Sequence, residues 1–216
     1  MQDYNEYFTE FTAALREAEI GELRPYESFK RFLLLFSLSL EAANAKVLGI
    51  DASKIEEKYL FEVKQAIKPE MYAKAFSILV RALTANPGDF LGSYAMSISG
   101  SGKRDIGQCY TPDCIAQLVA QCTLQGKPKR KPWVINEPSC GAGALIIAAT
   151  EQLKKAGYGK KDFYFVANDI DDTSVKMAFI QCTLLDIPVD FYTGDTLKQE
   201  YWYRRPTLAY LLNHKL

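Results

Sequence analysis

The stretch "INEPSCGAGALIIAA", Ile135 to Ala149, changes character within a few residues. The apolar run Trp133-Val134-Ile135 leads into a turn of small residues, Ser139-Cys140-Gly141-Ala142-Gly143, and a smooth apolar stretch follows. Glycine at a strand-to-helix turn lets a ligand approach the backbone without meeting a Cβ. The N–H groups that begin the next helix lack intrahelical acceptors and face whatever lies there. Gly141 and Gly143 are candidate ligand contacts on that ground, with a plain tight turn as the alternative. The pattern is not G-x-G-x-x-G and no Lys-Ser/Thr follows it, which argues against a phosphate loop.

Two further stretches end in the same manner. In "FVANDIDD" an acid, Asp169, directly follows Val166-Ala167-Asn168. A carboxylate after the second strand of such a unit suits a ribose cis-diol, because it accepts two hydrogen bonds. The alternative for Asp169 is a helix cap. Asp171 and Asp172 suit the opening of the next helix, where the macrodipole favours negative charge. In "FYTGDTL", Gly194 precedes Asp195, whose carboxylate can accept from the exocyclic amine of an adenine. Three such turns in order imply an adenosine-like ligand without a pyrophosphate. S-adenosylmethionine fits that description better than NAD.

These turns need strands and helices to carry them. Apolar positions at helical spacing predict helices over Tyr4–Glu19, Ser28–Lys46, Ser53–Ile67 and Glu70–Thr84, with Gly21, Pro69 and Asn86-Pro87-Gly88 as punctuation. Composition shifts between Gly88 and Gly107, and "SISGSGKRDIG" reads as a flexible loop. Beyond it a helix is predicted over Asp113–Cys122, with Thr111 as N-cap and Pro112 in its first turn. Then follow a strand at Trp133–Ile135, a helix over Gly143–Ala156, a strand at Phe163–Ala167, a helix over Asp172–Leu185 capped by Asp172 and Thr173, and a strand at Val189–Tyr192. Thr207–Leu212 is a candidate fourth strand. The alternation predicts a Rossmann-like α/β domain over 89–216, an incomplete parallel sheet ending after its fourth strand, behind a helical region over 1–88.

Lys+Arg and Asp+Glu are equal at 26 each, so the chain has no overall charge bias toward nucleic acid. The run Lys127-Pro128-Lys129-Arg130-Lys131 is either a local basic patch or a solvated loop. Five scattered cysteines without a C-x-x-C pair argue against a disulfide framework or a zinc site, and one histidine argues against a metal cluster or a Ser-His-Asp triad. The opening residues are polar and acidic, and the longest apolar run is far shorter than a bilayer span of ~20 residues. A cytoplasmic protein with no metal and no membrane partner is expected.

The segments "GQCYTPDCIAQLV", "NEPSCGAGAL", "ANDIDDTSVKMAFIQCTLLDI" and "YTGDTL" together resemble the motifs of the adenine-N6 DNA methyltransferases, in order and spacing. The nearest resemblance is to the modification subunit of type I restriction systems and its phage and plasmid relatives. "DFLGSYAMSIS", Asp89 to Ser99, resembles the segment before the Thr-Pro motif of that family. The resemblance covers Asp89 to Leu197. It implies S-adenosylmethionine as cofactor and DNA as substrate. It places Tyr110, Thr111 and Pro112 at the methionine end of the cofactor. Gly141 and Gly143, with Cys140 between Ser139 and Gly141, line the methionine and ribose. Glu137 stands at the family's acidic position as Glu137-Pro138, Asp169 binds the ribose, and Asp195 meets the adenine. Cys109 replaces the first aromatic of the Thr-Pro motif.

The family's [DN]-P-P-[FYW] motif, which holds the flipped adenine, is absent. Asn213 in "TLAYLLNHKL" stands at the corresponding distance as the candidate catalytic residue, with an ordinary terminal polar residue as the alternative reading. His214-Lys215 in place of the prolines cannot impose the same backbone, and Leu216 cannot stack as a ring does. Two classes of function follow. One is a DNA adenine methyltransferase that is inactive alone and completed by a protein partner. The other is a non-catalytic relative that binds S-adenosylmethionine, DNA or a restriction system, in an antirestriction or regulatory role.

Overall fold

The computed structural model describes residues 4–19, 25–98, 111–124 and 131–214. Five helices come first: α1 (Asn5–Ala18), α2 (Pro25–Val47), α3 (Ser53–Gln65), α4 (Pro69–Ala85) and α5 (Phe90–Ile98). There follow α6 (Asp113–Thr123), β1 (Trp133–Glu137), α7 (Ala144–Lys155), β2 (Phe163–Asp169), α8 (Asp172–Leu184), β3 (Val189–Asp195), β4 (Glu200–Pro206) and α9 (Leu208–His214). The chain is thus mixed α/β, with a helical N-terminal region ahead of one sheet.

The sheet order is β1-β2-β3-β4. β1, β2 and β3 run parallel, with Glu137 opposite Ala167 and Asp169 opposite Thr193. β4 is antiparallel to β3 and makes a hairpin with it. A register shift falls between Thr193 and Gly194. There a Cβ on Gly194 would stand 2.1 Å from the Glu200 carbonyl oxygen, so the two backbones meet closer than any side chain permits.

Three expectations are corrected here. Thr207–Leu212 is not a strand but lies in α9: Leu and Ala favour helix, and the Thr207 hydroxyl accepts the Tyr210 N–H to open it. The strand precedes it in Glu200–Pro206, an exposed edge whose aromatic and charged residues show no simple alternation. The segment ahead of the Ser/Gly-rich loop, to which the sequence assigns no element, is the helix α5. Phe90, Leu91, Tyr94 and Ala95 are buried along α5, and Asp89 accepts the Gly92 N–H as an N-terminal cap. The flexible loop read from "SISGSGKRDIG" lies mostly outside the described residues, as do the stop at Gly21 and most of the basic run. Thr111 makes no cap, since Pro112 holds that position of α6 without a side-chain bond. Asp171, rather than Asp172 or Thr173, caps α8 by accepting the Thr173 and Ser174 N–H groups.

One hydrophobic core runs from α1 through α2, α4 and α5 to α7, α8 and the sheet. Phe11, Phe29, Phe90 and Tyr94 pack edge-to-face at its helical end. α8 is its centre. Val175, Met177, Ala178, Phe179, Ile180, Gln181 and Cys182 are all buried, so most of that helix is covered, and Asp172, Thr173 and Lys176 of its first turns reach toward solvent. It packs on β2 and β3 on one side and on α2, α4 and α5 on the other.

Asp89 is buried where α5 meets α8. Burial pushes its carboxyl up to about 6, and the nearby Asp113 adds to this, against the bonds it accepts from Gln181 and Gly92. An acid whose folded-state value is raised stabilises the fold fully below its unfolded value, and loses that contribution as pH rises through the folded value. Asp89→Asn should therefore gain stability relative to the wild type by about 1–2 kcal/mol between about pH 4.5 and 7.5. Urea unfolding at both pH values measures this, and a pH-independent difference would contradict it.

Candidate cofactor site

Each parallel strand ends on an acid: Glu137 closes β1, Asp169 closes β2 and Asp195 closes β3. Ligands of an open parallel sheet sit at these carboxyl ends. The turn after β1 folds back over the end of β2. The Cys140 N–H donates to the Asn168 carbonyl at 2.9 Å, and the Gly143 N–H donates to the Cys140 carbonyl at 2.9 Å. Gly143 sits at φ +96°, in the left-handed region, and α7 starts at the next residue without a side-chain cap. The leading N–H groups of α7 thus have no side chain of their own turn as acceptor.

Asp169 joins the two halves of the rim. One carboxylate oxygen accepts the Gly141 N–H at 2.8 Å, and the other accepts the Asp171 N–H at 2.9 Å. Each oxygen still has a lone pair for a hydroxyl. The third strand is tied in by side chains. Asn168 donates to the Gly194 carbonyl at 2.9 Å and to the Thr196 hydroxyl, which in turn donates to the Pro138 carbonyl at 2.7 Å. The other side-chain atom of Asn168, its Oδ1, is buried without a hydrogen-bond partner among the described residues.

The three acids are not equivalent. Burial raises the Glu137 carboxyl, the neighbouring Asp169 charge adds to that, and the Ser139 N–H offsets part of it. The Lys198 N–H holds the Asp195 carboxyl below the usual carboxylate range, together with the Leu197 N–H and the Lys198 ammonium. Asp195 accordingly builds the β3–β4 turn through one oxygen that accepts both backbone N–H groups. Cys140 is buried, which pushes its thiol well up, as do Asp169, Cys182 and Glu137, so it is no nucleophile at neutral pH.

The structure brings Glu137, Cys140, Gly141, Gly143, Asp169 and Asp195 to one rim. Thr111 and Pro112 precede α6, which packs along α7, and Tyr110 lies outside the described residues. Asn213 is not brought to the rim. Its amide turns back onto the Ala209 carbonyl of its own helix at 2.7 Å. Its neighbour His214 meets the Lys160 carbonyl before β2 and the ring of Tyr164, five residues before Asp169. α9 therefore ends beside the amino ends of the strands, roughly 17 Å along β2 from the acids. Asn168, Thr196 and Gln181, which order the rim, lie within the motif segments, yet the sequence alone assigns them no role. The buried position of Gln181 in the apolar run of α8 was the one signal for it.

The donor set fits S-adenosylmethionine at its ribose. A strand-end carboxylate, pinned by two backbone amides and flanked by a glycine turn, is what a cis-diol requires. No group of three or more His, Cys, Asp or Glu side chains that could hold a metal occurs among the described residues. No described helix is long and apolar enough to cross a membrane.

The family model for N-6 DNA methylases matches residues 89–213, and the chain belongs to that family. Membership implies S-adenosylmethionine as the cofactor. Among solved structures the chain is similar to the type I restriction-modification methyltransferase subunit from Streptococcus thermophilus, at 13% identity and a TM-score of 0.48, over 94% of this chain and 60% of that one. It is also similar to a protein of Listeria monocytogenes described as a class I S-adenosylmethionine-dependent methyltransferase, at 20% identity and a TM-score of 0.51, over 89% of this chain and 55% of that one. The chain thus spans just over half the length of the solved proteins it matches. No curated protein matches it.

A methyl group at position 143 would impose left-handed strain on a residue with a Cβ and would stand 3.2 Å from the Ala178 Cβ. Gly143→Ala should cost about 1–3 kcal/mol of stability. Urea unfolding checks it, and a wild-type midpoint would show that the turn is softer than its geometry implies.

Proposed function

We propose that this chain binds S-adenosylmethionine across the carboxyl ends of β1, β2 and β3, as the cofactor-holding part of a DNA adenine-N6 methyltransferase. The observation that carries this reading is the Asp169 carboxylate, held at the end of β2 by the Gly141 and Asp171 amides. Asp169 takes the ribose hydroxyls. Glu137 and the Gly141–Gly143 turn line the sugar and the methionine chain, with Cys140 as buried packing beneath the turn. Tyr110, Thr111 and Pro112 close the methionine end. Asp195, already engaged with its own turn, offers its remaining lone pairs to the adenine edge. When bound, S-adenosylmethionine supplies an electrophilic methyl group, and these residues orient it and keep water from the sulfonium side. The setting is the cytoplasm, with a restriction-modification system of phage, plasmid or host as context.

Asp169→Ala should weaken binding by at least about 100-fold, since the two charge-assisted hydrogen bonds contribute ~1.5–3 kcal/mol each. Calorimetric titration tests this, and unchanged affinity would refute the ribose assignment.

DNA is the proposed substrate, with a protein partner completing the site. The 216-residue chain alone should not methylate DNA. Orienting an amine in line with the methyl group is worth ~7–11 kcal/mol of a barrier. The stretch at the candidate catalytic position is Asn213-His214-Lys215-Leu216, and Asn213 sits beside the opposite end of the sheet. That placement also favours the second reading, a binding protein that does not methylate. Purified chain incubated with labelled S-adenosylmethionine and mixed-sequence DNA should transfer no label above an Asp195→Ala variant. Labelled adenine would overturn the inactive reading.

A further inference from the structure

Gln181 is fully buried in α8, and its carboxamide makes three hydrogen bonds. Its Oε1 accepts the Leu91 N–H of α5 at 2.9 Å. Its Nε2 donates to Asp89 Oδ1 at 2.9 Å and to the Ala142 carbonyl in the glycine turn at 2.9 Å. The orientation of this amide is fixed, because a flip would face its oxygen to two acceptors and its protons to a donor. Asp89 is itself held by the Gly92 N–H at 2.8 Å. Packing around the bridge is tight: a Cβ on Gly92 would meet Asp89 Oδ2 at 2.2 Å and the Ala142 Cβ at 2.8 Å.

The Ala142 carbonyl and the Gly143 N–H belong to one peptide plane. The carbonyl is bound by Gln181 and the N–H by the Cys140 carbonyl, so this plane is pinned at both ends. The Cys140 carbonyl that accepts the Gly143 N–H shares its own peptide plane with the Gly141 N–H, which meets Asp169, so the pinned plane is tied directly to the amide at the rim. We propose that Gln181 is a positioning residue of the cofactor site. It sets the glycine turn, and through Asp89 and Leu91 it makes cofactor affinity depend on the docking of α5. The inference rests on the reading of that turn as the cofactor contact.

The discriminating variant is the swap Asp89→Asn with Gln181→Glu. It keeps a donor–acceptor pair between the two positions and an acceptor for Leu91, but leaves no donor for the Ala142 carbonyl. Gln181→Met removes all three bonds at nearly equal volume. Amide hydrogen exchange over residues 139–145, measured without ligand, should speed up at Gly141 and Gly143 by at least tenfold in either variant that folds. The dissociation constant for S-adenosylmethionine should rise by about tenfold. Leu79→Ala, a core variant on α4, should change neither. In the wild type, the Gln181 side-chain amide resonances should shift when S-adenosylmethionine is added, a readout that needs no variant. Unchanged exchange at the turn, faster exchange with unchanged affinity, or unmoved Gln181 resonances in a protein that binds would each overturn the positioning role. A wild type that binds no S-adenosylmethionine would overturn the cofactor reading itself, and the ligand-free exchange measurement tells that failure apart.

Discussion

A helix buried along most of its surface sets the terms for the rest of the molecule. α8 connects β2 to β3 and is packed between the sheet and the N-terminal helices. Its apolar residues have no period because none is needed. The N-terminal helices follow from this. Without α2, α4 and α5, a surface of Val, Met, Phe and Ile would stand open to water, and large apolar patches are rare on soluble chains. The helix reaches the sheet rim at its N-terminus, where its cap Asp171 follows Asp169 by two residues, and its body meets the glycine turn at Ala178. A ligand at the rim therefore rests on a layer that continues into the helical region.

The acids near the rim divide by what neutralises them. Asp172 is half buried, yet its carboxyl is held below the usual range, because the Lys176 bond, the Arg205 charge and the Thr193 hydroxyl outweigh the cost of burial. Arg205 is buried and also pairs with Glu41 of α2, so this cluster fastens β4 to the helical layer. Such a network is structural, and breaking one partner would strand a buried charge. Asp169 has only backbone amides for partners among its side-chain bonds, and keeps acceptor capacity. A carboxylate satisfied by neutral donors is available to a hydroxyl pair in a way that one locked to arginine is not.

Much of this was legible in the sequence, for identifiable reasons. The strand-to-helix turns announced themselves through glycine and acid placement, which is local chemistry. All three parallel strands fell where β-branched and aromatic runs stand. α5 was hidden because its small residues, Gly92, Ser93 and Ser97, resemble a loop until Asp89 and Gln181 supply long-range bonds. β4 was hidden because an edge strand that buries little carries no alternation. The Ala/Leu stretch of α9 reads as a strand because a short apolar run has no period that distinguishes strand from helix. Gln181 lay beyond sequence reasoning, since its partners stand 39 to 92 residues away.

The four cysteines among the described residues divide into two kinds of chemical surface. Cys140 and Cys182 lie buried under the glycine turn, and burial raises both thiols, so reagents that need a thiolate find them closed. Cys114 and Cys122 are exposed along α6, the helix that opens at Thr111-Pro112. Among these four, alkylating probes would therefore leave the floor of the rim untouched and modify Cys114 and Cys122 along α6. A fluorophore or spin label attached there becomes a reporter of how α6 sits over α7.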